Sequence, residues 1–143
     1  MPSELESLHN AIIDQLKETA TNSYNSFYQA YEELSEHKDD SRIKFLNIIR
    51  NNDYVISSLS FYDDKFKDLD RSEDYLYIAQ ILSLQIKACH NLYVIDNDDK
   101  WLTRKEEYKS TLYHYYELGK NITKIGPILE AFIKDAGIKI IDK

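Results

Sequence analysis

Apolar residues recur at steps of three or four positions along most of the chain, which is the spacing of one face of an α-helix. The first stripe predicts one long helix that begins at a capping box formed by Ser3 and Glu6. Poor helix formers at 21–26 allow a kink in this helix, and the polar run 37–40 ends it. The inward positions are Leu5, Leu8, Ile12, Leu16, Ala20, Tyr24, Phe27, Tyr31 and Leu34.

The second stripe begins near Ser41 and carries an asparagine, Asn52, on its apolar face. The favoured interpretation is a helix break at 51–53, with Asp53 capping a new segment. The alternative is a buried asparagine that fixes the register of the helices. The apolar positions of this stripe are Phe45, Ile48, Ile49, Val55, Ile56, Leu59, Tyr62 and Phe66.

The most apolar segment, at about 73–95, predicts a third helix. Ser72 is its expected N-cap, and Glu73 and Asp74 are placed to oppose the helix dipole. A helix that is apolar on most sides is buried on most sides. We therefore expect the third helix to lie at the centre of the fold and to dominate its stability.

Two further helices are predicted after the acidic break at 97–99. Gly119 is the expected left-handed residue at the end of the fourth helix. Pro127 suits the first turn of a short last helix and Gly137 suits its C-terminal cap, and the apolar tail 138–141 is predicted to lie on the bundle as an extended strap. The inner line of the fourth helix is Trp101, Lys105, Tyr108, Leu112, Tyr115 and Gly119.

Together these stripes predict an all-α fold. The chain of 143 residues is expected to form a single domain, 1–143: an up-and-down bundle of four main helices plus a short C-terminal helix. Only three glycines and two prolines are present, which is too few for the many turns of a sheet protein.

The formal net charge of -7 restricts the partners. It argues against direct binding to nucleic acid or to an anionic membrane surface, and it permits a basic protein partner. No apolar stretch reaches the ~20 residues of a membrane helix, and the start of the chain lacks the features of a signal peptide. With one cysteine and no internal disulfide, we expect a soluble intracellular protein, cytoplasmic or nuclear.

The best candidate for a metal site is a calcium loop that starts at Asp96. Asp98 and Glu107 would occupy its third and twelfth positions. Lys100 and Trp101 stand at its fifth and sixth positions, where an oxygen ligand and a glycine are needed. An acidic helix start explains the same residues, so the sequence predicts no metal site and no cofactor.

The candidate catalytic residues also favour structural roles. His9, His37 and His114 are predicted to be surface or boundary residues, and His90 is predicted to be a structural imidazole in an apolar helix. Cys89 is predicted to be structural, because burial raises the pKa of a thiol and no basic neighbour in the sequence stabilises a thiolate. The sequence contains no glycine-rich phosphate loop and no nucleophile motif, and we therefore expect no enzymatic activity.

Twelve tyrosines are the most unusual feature of the composition. Tyrosine combines apolar area with a polar tip, which suits interfaces, although it also closes the edges of small bundles. A helix cannot turn three tyrosines at 113, 115 and 116 inward, so the exposed members are candidate anchors for a partner. The candidate partner-binding residues are Tyr113, Tyr115 and Tyr116 as anchors and Asp63, Asp64, Asp68 and Asp70 as steering charges.

The function predicted from these features is non-enzymatic protein–protein interaction, as an adaptor, an assembly subunit or an inhibitor. One alternative is an acidic inhibitor that mimics nucleic acid and binds a basic protein, which requires rows of carboxylates on one face. Another is a small-ligand-binding or enzymatic bundle, which requires polar groups that converge on an apolar cavity.

Overall fold

The computed structural model describes residues 3–140, and the predicted all-α fold is confirmed. The described residues contain five helices and no strand. The helices are α1 (Glu4–Glu33), α2 (Lys38–Ser60), α3 (Ser72–Asp96), α4 (Lys100–Gly119) and α5 (Gly126–Asp135).

Contacts between side chains show that consecutive main helices run in opposite directions. The hydroxyl of Ser41 donates to the carbonyl of Ala30 at 2.6 Å, which joins the start of α2 to the end of α1. Arg42 donates to the carboxylate of Asp96 at 2.8 Å, which joins the start of α2 to the end of α3. The ring of Tyr115 near the end of α4 lies 5.8 Å from that of Tyr75 near the start of α3, so the turn at 97–99 reverses the chain into α4. The four main helices therefore form an up-and-down bundle.

Helix α3 is the centre of this bundle, as the sequence predicts. It packs against each of the other four helices, whereas the backbones of α1 and α4 do not approach each other within the described residues. Its buried residues are Asp74, Ile78, Ala79, Ile81, Leu82, Ser83, Leu84, Gln85, Ile86, Ala88, Cys89 and Leu92. The remaining helices are thus arranged around α3.

Helix α1 begins as predicted but turns a different face inward. Ser3 accepts a hydrogen bond from the backbone N–H of Glu6 at 3.1 Å, which confirms the N-cap. Tyr24 and Tyr31, predicted on the inner stripe, are exposed. The buried residues of α1 are His9, Leu16, Ala20, Ser23 and Ala30. Because these buried residues include polar and small side chains, the apolar residues of α1 do not by themselves decide which face is buried.

Helix α2 is continuous through 51–53, so the predicted break there is wrong. Asn52 is completely buried, which confirms the alternative interpretation of a buried asparagine. The helix ends at Ser60, before the end of the predicted apolar stripe. Phe66 is nevertheless fully buried, because the turns at 61–68 fold back over the end of the bundle.

Helix α2 begins at Lys38 rather than near Ser41, and two residues predicted to cap helices do not do so. Ser72 is the first residue of α3 rather than its cap, and the carboxylate of Asp70 accepts from the Ser72 N–H at 3.0 Å. Gly119 does not have the predicted left-handed conformation, since the glycine with positive φ is Gly137, at 72°. A Cβ atom at Gly119 would lie 2.5 Å from Cδ1 of Leu129, so a larger residue there would displace the Leu129 side chain of α5.

The C-terminal segment follows the prediction as far as it is described. Pro127 lies in the first turn of α5, and the left-handed Gly137 ends that helix. Ile138 and Ile140 are partly buried against the core, as expected for a strap, and Ile141 lies outside the described residues. None of the described helices combines the length and the apolar composition that crossing a bilayer requires.

Candidate functional site

A groove runs between α1 and α5 along one side of α3. It consists of two adjoining hollows with volumes of about 350 Å³ and about 370 Å³. Ser83 and Lys87 of α3 line both hollows, so the two are continuous along that helix. One wall carries Phe27 of α1 and the other carries Phe132 of α5. We call this feature the α1–α5 groove.

The α1 side of the groove carries a row of exposed tyrosines. Tyr24, Tyr28 and Tyr31 are exposed by 53%, 50% and 58%. Their spacing of four and three residues places them on one face of the helix. The rings of Tyr24 and Tyr28 are 4.7 Å apart, and Tyr24 and Tyr31 also line the groove. We call these three residues the tyrosine edge.

The two halves of the groove differ in chemistry. Ala20, Leu84 and Phe132 make one half largely apolar. The other half brings together the side chains of His90 and Lys105, and the Lys105 ammonium donates to Nδ1 of His90 at 3.4 Å. His90 is exposed although it belongs to the apolar third helix, and its predicted structural role stays a prediction.

The predicted anchors on α4 lie elsewhere and are mostly buried. Tyr115 and Tyr116 are 5% and 9% exposed, and Tyr113 is partly buried against the core. Burial raises the pKa of Tyr115 to about 12. Of these three, Tyr113 alone is not buried and stays a candidate anchor. The sequence did not single out the tyrosine edge, because Tyr24 and Tyr31 were assigned to the inward face of the first helix.

The predicted steering charges lie in the loop between α2 and α3, outside the groove. Asp63 accepts from Arg71 at 3.0 Å, and hydrogen bonds from Ser72 lower the pKa of Asp70. Asp64 and Asp68 are exposed. Their role in steering a partner stays a prediction.

The same end of the molecule contains a buried cluster of charged groups. His9 of α1 contacts both carboxylate oxygens of Asp74 at 2.7 and 2.9 Å. Asp74 is fully buried and also accepts from Arg71, whose guanidinium lies over the rings of Phe66 and Tyr75. His9 was predicted to be a surface residue, and that prediction is wrong. His9, Asp74 and Arg71 supply one another's hydrogen bonds and opposite charges, which favours a structural role for the cluster.

A second polar chain crosses the interior and links all four main helices. Ser23 of α1 donates to Asn52 of α2 at 2.7 Å, and Asn52 donates to Gln85 of α3 at 3.0 Å. Gln85 donates to Asp53 at 3.2 Å, and that carboxylate also accepts from Tyr108 of α4. Burial and the bond to Asp53 both raise the pKa of Tyr108. The chain fixes the relative positions of the helices.

The candidate calcium-loop residue Asp96 is hydrogen bonded within the protein, and the candidate nucleophile Cys89 is buried. Asp96, the first residue of the sequence-predicted calcium loop, accepts from Arg42 and from Trp101. Nowhere between residues 3 and 140 do three His, Cys, Asp or Glu side chains form a group suited to a metal ion. Cys89 is buried, and burial raises the pKa of its thiol to about 12, as its predicted structural role requires.

Comparison with known proteins adds no relative of this chain. No protein-family model, no curated protein and no solved structure matches it. Function is therefore to be inferred from the surface and the interior of the molecule itself. The α1–α5 groove with its tyrosine edge is the surface that combines concavity, exposed aromatic area and charge.

Proposed function

We propose that this protein is a non-enzymatic protein–protein interaction module that binds its partner in the α1–α5 groove. The observation that carries the proposal is the row of Tyr24, Tyr28 and Tyr31, each at least half exposed, of which Tyr24 lines the apolar hollow and Tyr31 lines the adjoining one. Tyrosine is enriched at interfaces and among the residues that contribute most binding energy. An ordered row of exposed rings next to a groove is an expected form of such a surface.

The chemistry of the interior favours a protein partner over a small ligand. A small-molecule site usually directs a few polar groups into an apolar pocket. Here the interior polar residues are hydrogen bonded to one another, as in the chain from Ser23 through Asn52 to Gln85. The groove is instead a surface feature between two helices, suited to an elongated partner.

The positions of the two acidic loops give no specific support to mimicry of nucleic acid. The loop at 61–71 lies beside the start of α1, through the contact of the His9 ring with Phe66. The loop at 97–99 lies at the opposite end, beside the start of α2, through the contact of Arg42 with Asp96. A nucleic-acid mimic requires rows of carboxylates along one face, whereas these two loops are at the two ends.

We also propose that the protein works inside the cell, in the cytoplasm or the nucleus. Its one cysteine, Cys89, is a free and buried thiol, and proteins without disulfides are typical of reducing compartments. The partner is accordingly sought among intracellular proteins.

The test compares partner capture by variants that remove exposed aromatic rings. Tyr24→Ser, Tyr28→Ser and Tyr31→Ser are combined in one variant, and the immobilised protein is used to capture partners from a lysate of its source organism. Quantitative mass spectrometry is expected to show a partner that wild type retains and this variant loses. The interface energy comes from the aromatic anchors, so the loss is expected to be large.

A matched control removes exposed aromatic rings outside the groove. Tyr54 of α2 and Phe61, just beyond α2, are 72% and 82% exposed, and Tyr54→Ser with Phe61→Ser is expected to leave capture unchanged. Circular dichroism verifies that both variants fold. If the two variants retain the same partners as wild type, or lose the same partners, the groove is not the binding surface.

A further inference from the structure

The α1–α5 groove carries positive charge on a protein whose net charge is -7. Lys87, His90 and Lys105 line the half of the groove nearest the start of α4. Asp135 lines the same half and lies 3.3 Å from the ammonium of Lys87. Lys105 contacts the imidazole of His90 rather than a carboxylate, so Lys105 keeps a positive charge in the groove that is not offset when Lys87 pairs with Asp135.

Local charge rather than net charge decides what binds in this groove. The Debye length is about 8 Å at physiological ionic strength, so charges at the far ends of the bundle are screened from a ligand in contact with Lys105. The net charge permits a basic partner, but a basic segment would meet Lys87 and Lys105 at contact distance. A carboxylate placed there gains a charge-assisted hydrogen bond with Lys105 and shares the Lys87 ammonium with Asp135.

The shape of the groove favours a helix as its ligand. The lining residues of α3 extend from Gln80 to Asn91, which at ~1.5 Å per residue is about three helical turns. The walls are helices whose backbone groups are already hydrogen bonded, so they cannot pair with an extended peptide. A helix brings its own backbone hydrogen bonds into an apolar groove.

We propose that the groove binds an amphipathic helix that places apolar side chains against Leu84 and Phe132 and carboxylates against Lys87 and Lys105. This inference rests on the proposed function of the groove as a protein-binding surface. The tyrosine edge lies along the helix and covers its outer side. Lys105 lines only the hollow that lacks Leu84 and Phe132, so the ligand carries its acidic positions towards one end and its apolar positions towards the other.

The probe for this proposal is a display library of 16-residue helix-forming peptides, randomised on one face and selected on wild-type protein. The selected peptides are expected to carry Leu, Ile or Phe near one end and Asp or Glu near the other. Their affinity is measured by fluorescence anisotropy. Lys87→Glu combined with Lys105→Glu is expected to weaken binding by roughly tenfold or more, because it replaces attraction with repulsion.

Two further variants separate charge recognition from groove binding. Lys38→Glu with Lys67→Glu makes the same change of charge at two exposed positions outside the groove and is expected to leave affinity nearly unchanged. The combined serine variant of the tyrosine edge is expected to weaken binding regardless of peptide charge. Circular dichroism verifies the fold of each variant.

The outcomes distinguish this inference from the proposed function. Selection of basic peptides, or of peptides that bind the groove variant with Glu at 87 and 105 as tightly as wild type, overturns the acidic-helix proposal. If those peptides nevertheless lose binding to the serine variant of the tyrosine edge, the groove is still the binding surface and the proposed function stands. No selected peptides, or peptides indifferent to every groove variant, overturn both proposals. Self-association of the protein through the tyrosine edge, seen by analytical ultracentrifugation, would identify a second copy as the occupant and overturn the acidic-helix proposal.

Discussion

Asn52 has no exposed surface, and both polar atoms of its side chain are hydrogen bonded. Its oxygen accepts from Ser23 of α1 and its amide donates to Gln85 of α3. A buried amide without partners destabilises a fold, whereas a fully bonded one permits only the helix register that supplies its partners. Asn52 therefore sets the relative positions of α1, α2 and α3.

The contribution of this residue is measurable by a double-mutant cycle. Asn52→Ala is expected to lower the free energy of unfolding by about 1–3 kcal/mol, because Ser23 and Gln85 lose their buried partner. Combining it with Ser23→Ala is expected to give a coupling free energy of about 0.5–3 kcal/mol in urea titrations. Asn22 precedes Ser23 on α1 and is exposed. Asn22→Ala is therefore the control and is expected to change stability by no more than about 0.5 kcal/mol. Purely additive effects of the two buried changes would contradict this role.

The inward face of α1 shows how an element adapts to its neighbours. Ala30 is fully buried, and its carbonyl accepts from Ser41 of α2 at 2.6 Å. A large side chain at Ala30 would hold the two helices apart, so the close contact requires a small residue. With Ala30, Ser23 and His9 turned inward, the tyrosines at 24, 28 and 31 are left on the side and outer faces. The rotation of α1 thus creates the tyrosine edge.

Helix α3 is expected to contribute most of the stability, since it contacts every other helix. Leu82 is completely buried, and Leu82→Ala is expected to cost about 2–5 kcal/mol through lost burial and the cavity that remains. Glu18→Ala, on the exposed side of α1, is expected to stay within about 0.5 kcal/mol of wild type. Urea titrations test both variants, and equal losses would place the core elsewhere.

The whole molecule is expected to lose stability in alkaline solution, because burial opposes ionisation of its interior phenols and thiol. The pKa of Tyr115 is raised from 10.0 to about 12, and that of Cys89 from 9.0 to about 12. Above the ordinary pKa of each group the unfolded chain releases a proton that the folded chain retains. Stability is therefore complete below about pH 9 and decreases as the pH rises towards 12.

Thermal unfolding as a function of pH tests this expectation. Tyr115→Phe removes one of the ionisable groups and is expected to flatten the decrease between pH 10 and 12 relative to wild type. Tyr54→Phe, at a position that is 72% exposed, is the matched control and is expected to leave the profile unchanged. A profile that is equally steep in wild type and Tyr115→Phe would show that ionisation of Tyr115 is not coupled to unfolding.

The sequence by itself determined the helical elements and the identity of the central one. Helical spacing of apolar residues is a local property, because residues three and four apart share a face whatever the rest of the chain does. The segment predicted at 73–95 is Ser72–Asp96 in the structure. Its apolar residues occur on most sides, which is sufficient to place it in the interior.

Only the tertiary structure decided which polar residues are buried and which tyrosines reach solvent. His9 is buried against a carboxylate 65 positions away, and Ser23 against an amide 29 positions away. The cost of burying a polar group depends on whether such a distant partner is present. Helix periodicity cannot supply that information, so it predicted a break at Asn52 and turned Tyr24 inward. The groove depends on α1, α3, α4 and α5 together, and its charge and its tyrosine edge exist only once those helices are packed.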